Sequence, residues 1–310
     1  MRIFLALALN LFVLHAATAA EKLTVLLDWF VNPDHAALIV AQERGMFAAA
    51  GLDVELIAPA DPSAPPRLVA AGQGDIAVSY QPQLHVQVGE GLPLARIGTL
   101  AETPLNALVA LRDGPVKAIA DLKGRTVGFS VGGFEDAVLG AMLKTHGLTL
   151  SDVKLVNINF ALSPSLIAGK VDAVIGAFRN FELNQLDIEN HPGIAFYPEE
   201  HGVPAYDELI LVARNDRTSD PRFSRFLDAL EEATLWLTNH PDEAWQLFIA
   251  NHRDLDNELN RRAWRDTLPR LAKRPAALDR GRYQRFAEFL KEAGLIQVIA
   301  PLESYAVEVE

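Results

Sequence analysis

The sequence predicts an α/β protein built as two lobes, each a doubly wound sheet, joined where the chain crosses between them twice. Three observations predict it. Short apolar runs alternate with stretches of helical spacing, the rhythm of a mostly parallel sheet with right-handed crossovers. A second unit with the same rhythm begins near Asp113. A late apolar run at residues 208–213 (ELILVA) can return to the first unit before the chain turns helical. The expected division is 21–110 plus 207–310 for lobe 1 and 111–206 for lobe 2, with residues 1–20 set apart.

Those first residues, MRIFLALALNLFVLHAATAA, carry Arg2, an apolar run from Ile3 to Leu14 and small residues up to Ala20. This is the pattern of a secretory signal peptide, cleaved after Ala19 or Ala20, and the apolar run is too short for a membrane span. The chain has no cysteine. Disulfides, thiol catalysis, zinc–cysteine sites and a lipidated N-terminal cysteine are therefore excluded. The remaining ~290 residues must be held by their core, and they are enough for one or two domains. A formal charge of −12 makes the chain a poor partner for nucleic acid.

In the first unit, strands are expected at residues 22–29, 53–58, 75–79, 94–100 and 107–111, with helices at 35–50, 65–72 and 81–90. In the second, strands are expected at 125–130, 153–159, 171–175 and 193–197, with helices at 134–146, 164–169 and 181–188. After the returning strand come helices at 220–237, 241–249, 257–267 and 280–293. In such a fold a ligand sits in the cleft where the strand ends of both lobes meet. Two crossings form a hinge, so the cleft is expected to close on its ligand.

Residues 171–182 (VDAVIGAFRNFE) are the most informative stretch. A short apolar strand reaches a small turn and delivers Phe178, Arg179, Asn180, Phe181 and Glu182 beyond the sheet, a carboxylate beside aromatics suited to a flat, amine-bearing ring. From the first unit, residues 28–35 (DWFVNPDH) bring Trp29, Asn32 and His35 to a strand end. Residues 79–82 (SYQP) repeat the arrangement with Tyr80 and Gln81. Trp29 can equally be core and Asn32 a helix cap.

Gly128-Phe129-Ser130-Val131-Gly132 fits the G-x-S-x-G of a nucleophile elbow, between a strand and a helix. A serine hydrolase would need a later Asp or Glu and then a histidine, and none of His191, His201, His240 and His252 stands at an evident strand end. The other reading is a Gly-rich loop whose backbone N–H groups meet a polar ligand atom. Gly72-Gln73-Gly74 follows a helix and precedes a strand, the reverse of a dinucleotide loop, and reads as a helix end. No histidine pattern suggests a metal, and none is expected.

The segments LDWFVNPDHAALIVAQERGMFAAAGLDVEL, AAGQGDIAVSYQP, TPLNALVAL, IADLKGRTVGFSVGG and LIAGKVDAVIGAFRNFE resemble the NMT1/ThiY-like substrate-binding proteins, from about Lys22 to about Ala213. The resemblance implies a type II periplasmic binding protein fold and a periplasmic, cofactor-free, monomeric protein. Its implied partners are a small molecule and the permease and ATPase subunits of an ABC importer. The implied ligand is a thiamin-precursor pyrimidine, formylaminopyrimidine-like. By the same resemblance the ring lies against Trp29 and Tyr80, and Glu182 accepts from its exocyclic amine. Asn32 and Asn106 orient the ring or formyl amide, and backbone near Gly132, Gly133 and Phe134 closes the other side. His35, Gln81, Phe178, Asn180 and Tyr206 complete the candidate set. Phe178 and Phe181 stand where more Tyr or Trp is expected, which leaves riboflavin, another heterocycle or a sulfonate as alternative ligands. The family also includes a pyrimidine synthase, an enzyme expected to be intracellular, with a cysteine-rich motif and a cofactor lysine.

Overall fold

The computed structural model describes residues 19–309, so all but the last two residues of the expected signal peptide lie outside the described residues. The chain opens with β1 (Glu21–Leu26), β2 (Leu52–Ile57), β3 (Ile76–Ser79) and β4 (Leu94–Ala101). Between them run α1 (Ala36–Glu43), α2 (Met46–Ala49), α3 (Pro65–Ala70) and α4 (Gln81–Gly89). The helix expected over residues 35–50 is split because Gly45 takes a φ of +70°, a left-handed turn that ends α1.

A second sheet follows, with β5 (Asn106–Leu111), β6 (Thr126–Phe129), β7 (Lys154–Asn157), β8 (Ala173–Phe178) and β9 (Gly193–Phe196). Its helices are α5 (Glu135–Lys144), α6 (Leu162–Ile167) and α7 (Glu182–Ile188). The chain then returns through β10 (Leu209–Arg214) and ends in α8 (Pro221–Asn239), α9 (Pro241–Phe248), α10 (Glu258–Thr267) and α11 (Arg280–Glu292). The strand orders are β2-β1-β3-β10-β4 and β7-β6-β8-β5-β9.

Each sheet has one strand running against the others. In the first it is β10, antiparallel to β3 and β4; in the second it is β5, antiparallel to β8 and β9. These are the two strands by which the chain enters a lobe from the other, so they start on the side where the remaining strands end. The apolar run at 107–111 was assigned to the first lobe from sequence, with the crossing near 110. The register places β5 in the second sheet instead, and the crossing falls between Ala101 and Asn106.

The two crossings are fastened to each other. Glu208, on the second, accepts the main-chain N–H groups of Leu105 and Asn106 on the first. Arg179 donates to the carbonyls of Leu105 at 3.2 Å and Asn106 at 3.0 Å and pairs with Glu199 at 2.6 Å. The helical tail closes the first lobe, where α8 packs on α1 and α2. Arg96 on β4 is fully buried and donates to the carbonyls of Pro275, Ala276 and Val307, holding the last segment to the sheet. Among the described residues no helix is long and apolar enough to cross a membrane.

Candidate functional site

A cleft between the lobes is built from segments at the carboxyl ends of parallel strands, where α/β sheets place ligands. Beyond β1 come Asp28, Trp29, Asn32 and Asp34; beyond β3 comes Tyr80. Facing them are Glu135 and Leu162, which open α5 and α6, then Gly176 and Phe178 of β8, Phe181, and Glu182 at the start of α7. The cavity left between them is small, about 30 Å³.

The first-lobe wall is a chain of mutually bonded polar groups. Asn32 caps the short 3₁₀ turn Pro33–His35. Its Oδ1 accepts the Asp34 N–H at 2.8 Å and its Nδ2 donates to the Phe30 carbonyl at 3.1 Å. The Asn32 N–H donates to His35 Nδ1 at 3.3 Å. A main-chain N–H can only donate, which assigns the ring proton to Nε2. That nitrogen lies 2.9 Å from Asp28 Oδ1, and the Tyr80 hydroxyl donates to Asp28 Oδ2 at 2.8 Å. Both Asp28 oxygens are thereby engaged. The Tyr80 ring stacks on Phe134 at 4.9 Å and meets Phe178 edge-on at 6.4 Å.

The second-lobe wall is different. Glu182 Oε2 accepts the Phe178 N–H at 2.6 Å, and Glu135 Oε2 accepts the Ser130 N–H at 2.7 Å. A second main-chain N–H also draws on each carboxyl, that of Val131 on Glu135 and that of Glu182 itself on its own side chain. Burial pushes both carboxyls up to about 8, against the pull of their main-chain donors. Across the cleft, Asp34 Oδ1 accepts from Asn180 Nδ2 at 2.6 Å and Thr267 Oγ1 at 2.9 Å, a direct tie between the lobes. Burial raises Asp34 to about 6. An aromatic seam also joins the two lobes. Trp29 meets Phe160 edge-on at 4.6 Å, and half-exposed Phe30 lies 6.2 Å from Phe160 and 6.3 Å from Phe181.

Four carboxyls therefore line the cleft, and among its described lining residues there is no lysine or arginine. Such a surface favours a ligand with N–H donors or positive charge and disfavours an anion.

Of the candidate residues, Trp29, Asn32, Tyr80, Phe178 and Glu182 line the cleft. The others lie behind it or apart from it. His35 orients Asp28. Gln81 is fully buried and accepts the Asp207 N–H at 2.8 Å, anchoring the second crossing. Asn106 is fully buried and its Oδ1 accepts the Gly176 N–H at 3.0 Å. Gly132 and Gly133 are exposed on their loop, while Phe134 backs the Tyr80 ring. Asn180 bridges the lobes, and Tyr206 is buried against Phe286. Residues absent from the sequence-based set are Asp28, Asp34, Glu135, Leu162, Gly176 and Phe181. Asp28 and Asp34 stand inside the same DWFVNPDH segment, and Glu135 follows the Gly-rich loop directly, so position at a strand end was the available signal. Ser130 is no nucleophile elbow. Its hydroxyl donates to the Asn159 carbonyl, and among the described residues no histidine bonds to it.

Comparison with known proteins places these features. A family model described as NMT1/THI5 like matches residues 32–244. The chain belongs to the NMT1/THI5-like family. Within reach of this NMT1/THI5-like chain, a putative thiamine biosynthesis protein of Haemophilus influenzae is 57% identical over 94% of this chain and 93% of that protein. A formylaminopyrimidine-binding protein of Halalkalibacterium halodurans is 34% identical over 75% and 71%. A 4-amino-5-hydroxymethyl-2-methylpyrimidine phosphate synthase of Uromyces fabae is 30% identical over 73% and 63%. Among solved structures, the alkanesulfonate-binding protein SsuA of Xanthomonas axonopodis pv. citri superposes with a TM-score of 0.69 at 16% identity, over 94% of this chain and 98% of that one. The NMT1/THI5-like chain thus has the type II periplasmic binding protein fold, as the sequence resemblance implied.

Proposed function

We propose that this chain is an exported solute-binding protein of an ABC importer, and that it captures a thiamin-precursor aminopyrimidine, formylaminopyrimidine-like, in the interlobe cleft. The observation that carries the reading is the cleft lining. Four carboxyls and no lysine or arginine among the described residues suit a ring that presents N–H donors. Trp29, Tyr80, Phe178 and Phe181 supply apolar ring surface. The formylaminopyrimidine-binding relative supports the same ligand class. The lining offers a sulfonate no lysine or arginine among the described residues, which argues against one. Export is supported by residues 1–20, whose sequence has the form of a signal peptide. Tyr80 and Glu182 would act from opposite lobes, so ligand capture and lobe closure would be one event.

The synthase relative raises an enzymatic reading. The absence of cysteine from the chain and the engagement of Ser130 Oγ by a main-chain carbonyl both weigh against catalysis here. Isothermal titration calorimetry of the purified protein with formylaminopyrimidine, riboflavin and taurine tests the proposal. Binding of the pyrimidine alone is the expected result. Heat from taurine and none from the pyrimidine would move the chain to sulfonate capture.

A further inference from the structure

Glu135 and Gly176 fit each other in a way that the fold alone does not require. Between Val174 and Ala177, β8 carries one residue more than its partner: Ala107 pairs with Ala177 and Val109 with Val174. The bulge includes Gly176, whose φ of +95° suits glycine alone. A Cβ built there would lie 2.3 Å from Glu135 Oε1 and 2.6 Å from Oε2. The Glu135 carboxyl therefore occupies the place of a missing side chain, pressed against the strand on the cleft side. Two residues further along, the Phe178 N–H holds Glu182 in the same manner as the Ser130 N–H holds Glu135. Gly176 and Phe178 both face the cleft, and two strand residues span about 6.6 Å. That is a separation which one substituted six-membered ring can bridge.

A buried carboxyl held only by main-chain N–H groups, with no cation beside it, adds little to stability by itself. Two such groups, both opening on one cleft, make sense as acceptors for a ligand that brings two donors. We propose that Glu135 is a second ligand-reading carboxyl, accepting an N–H from a ring substituent other than the amine that meets Glu182. The inference rests on the pyrimidine reading above and narrows it. The favoured ligand carries two separate N–H donors on one heterocycle, a ring amine and a side-chain amine or amide. A hydroxyl in the second place both donates and accepts, whereas an amide N–H only donates.

The test compares formylaminopyrimidine with hydroxymethylpyrimidine, in calorimetry, on the wild-type protein and on Glu135→Gln. The glutamine keeps an oxygen for the Ser130 N–H and turns an NH₂ group toward the ligand. It should weaken the formamide ligand about tenfold or more and the hydroxyl ligand much less, so the selectivity ratio falls. A structural role for Glu135 would leave that ratio unchanged, and an unchanged ratio overturns the inference while wild-type binding upholds the function. Wild-type protein that binds neither pyrimidine overturns both. Should Glu135→Gln lose its melting transition, Glu135→Asp carries the same comparison, because the shorter side chain draws the carboxyl back from the cleft without removing it. The same fall in ratio is expected from it, and no fall counts against the proposal.

Discussion

The two walls of the cleft are made of similar residues and wired in opposite ways. In the first lobe Asp28 has both oxygens bonded, to His35 and Tyr80, and Asn32 has both ends of its amide bonded as a cap. In the second lobe Glu135 and Glu182 are held by main-chain N–H groups alone, with no side-chain donor among the described residues. The difference teaches which wall is scaffold and which is reader. Side-chain pairs fix the aromatic platform of Trp29 and Tyr80, while carboxyls held only by the main chain remain available to a ligand.

The sharpest way to break this comparison is to cut the first wall. Asp28→Ala leaves the Tyr80 hydroxyl and the His35 ring buried without their partner. Removing one member of such a network costs about 3 kcal/mol, so the melting temperature of the ligand-free protein should drop by several degrees. A melt indistinguishable from wild type would mean that the first wall is not scaffold.

The second wall should announce itself through pH. Glu135 and Glu182 rise from 4.5 to about 8 in the folded protein. Between those values the unfolded chain is deprotonated and the folded one holds the protons. Stability from these groups is full below about pH 4.5 and falls as pH rises toward about 8. The ligand-free melting temperature should therefore decline over that window, and Glu182→Gln should make the decline shallower. A melting temperature that climbs through the window would contradict the assignment of these carboxyls.

Much of this was legible in the residues, and the exceptions share a cause. Alternating apolar runs located nearly every strand, because strand and helix periods differ locally in the sequence. Partnership between strands is not local, so residues 107–111 gave no hint that β5 joins the second sheet. Gly176 read as a turn after residues 171–175, yet it lies within β8 as a bulge, since hydrogen bonding to β5 resumes beyond it. Trp29, Tyr80 and Glu182 were legible as strand-end residues with ligand chemistry. Gln81, Asn106 and Asn180 stand at equally suggestive positions but satisfy main-chain or interlobe groups, which depends on neighbours distant in sequence. Glu135 was hidden for the converse reason. At the start of a helix an acidic residue reads as an ordinary partner for the helix end, and only the notch at Gly176 reveals its place in the cleft.

The central claim is that the second wall reads the ligand, with Glu182 at the amine. Calorimetry of Glu182→Ala against wild type with formylaminopyrimidine tests it most directly, with a thermal melt confirming that the variant is folded. Loss of a charge-assisted hydrogen bond predicts affinity lower by about a hundredfold, with the melting transition retained. A folded variant that binds the pyrimidine as tightly as wild type would contradict the account.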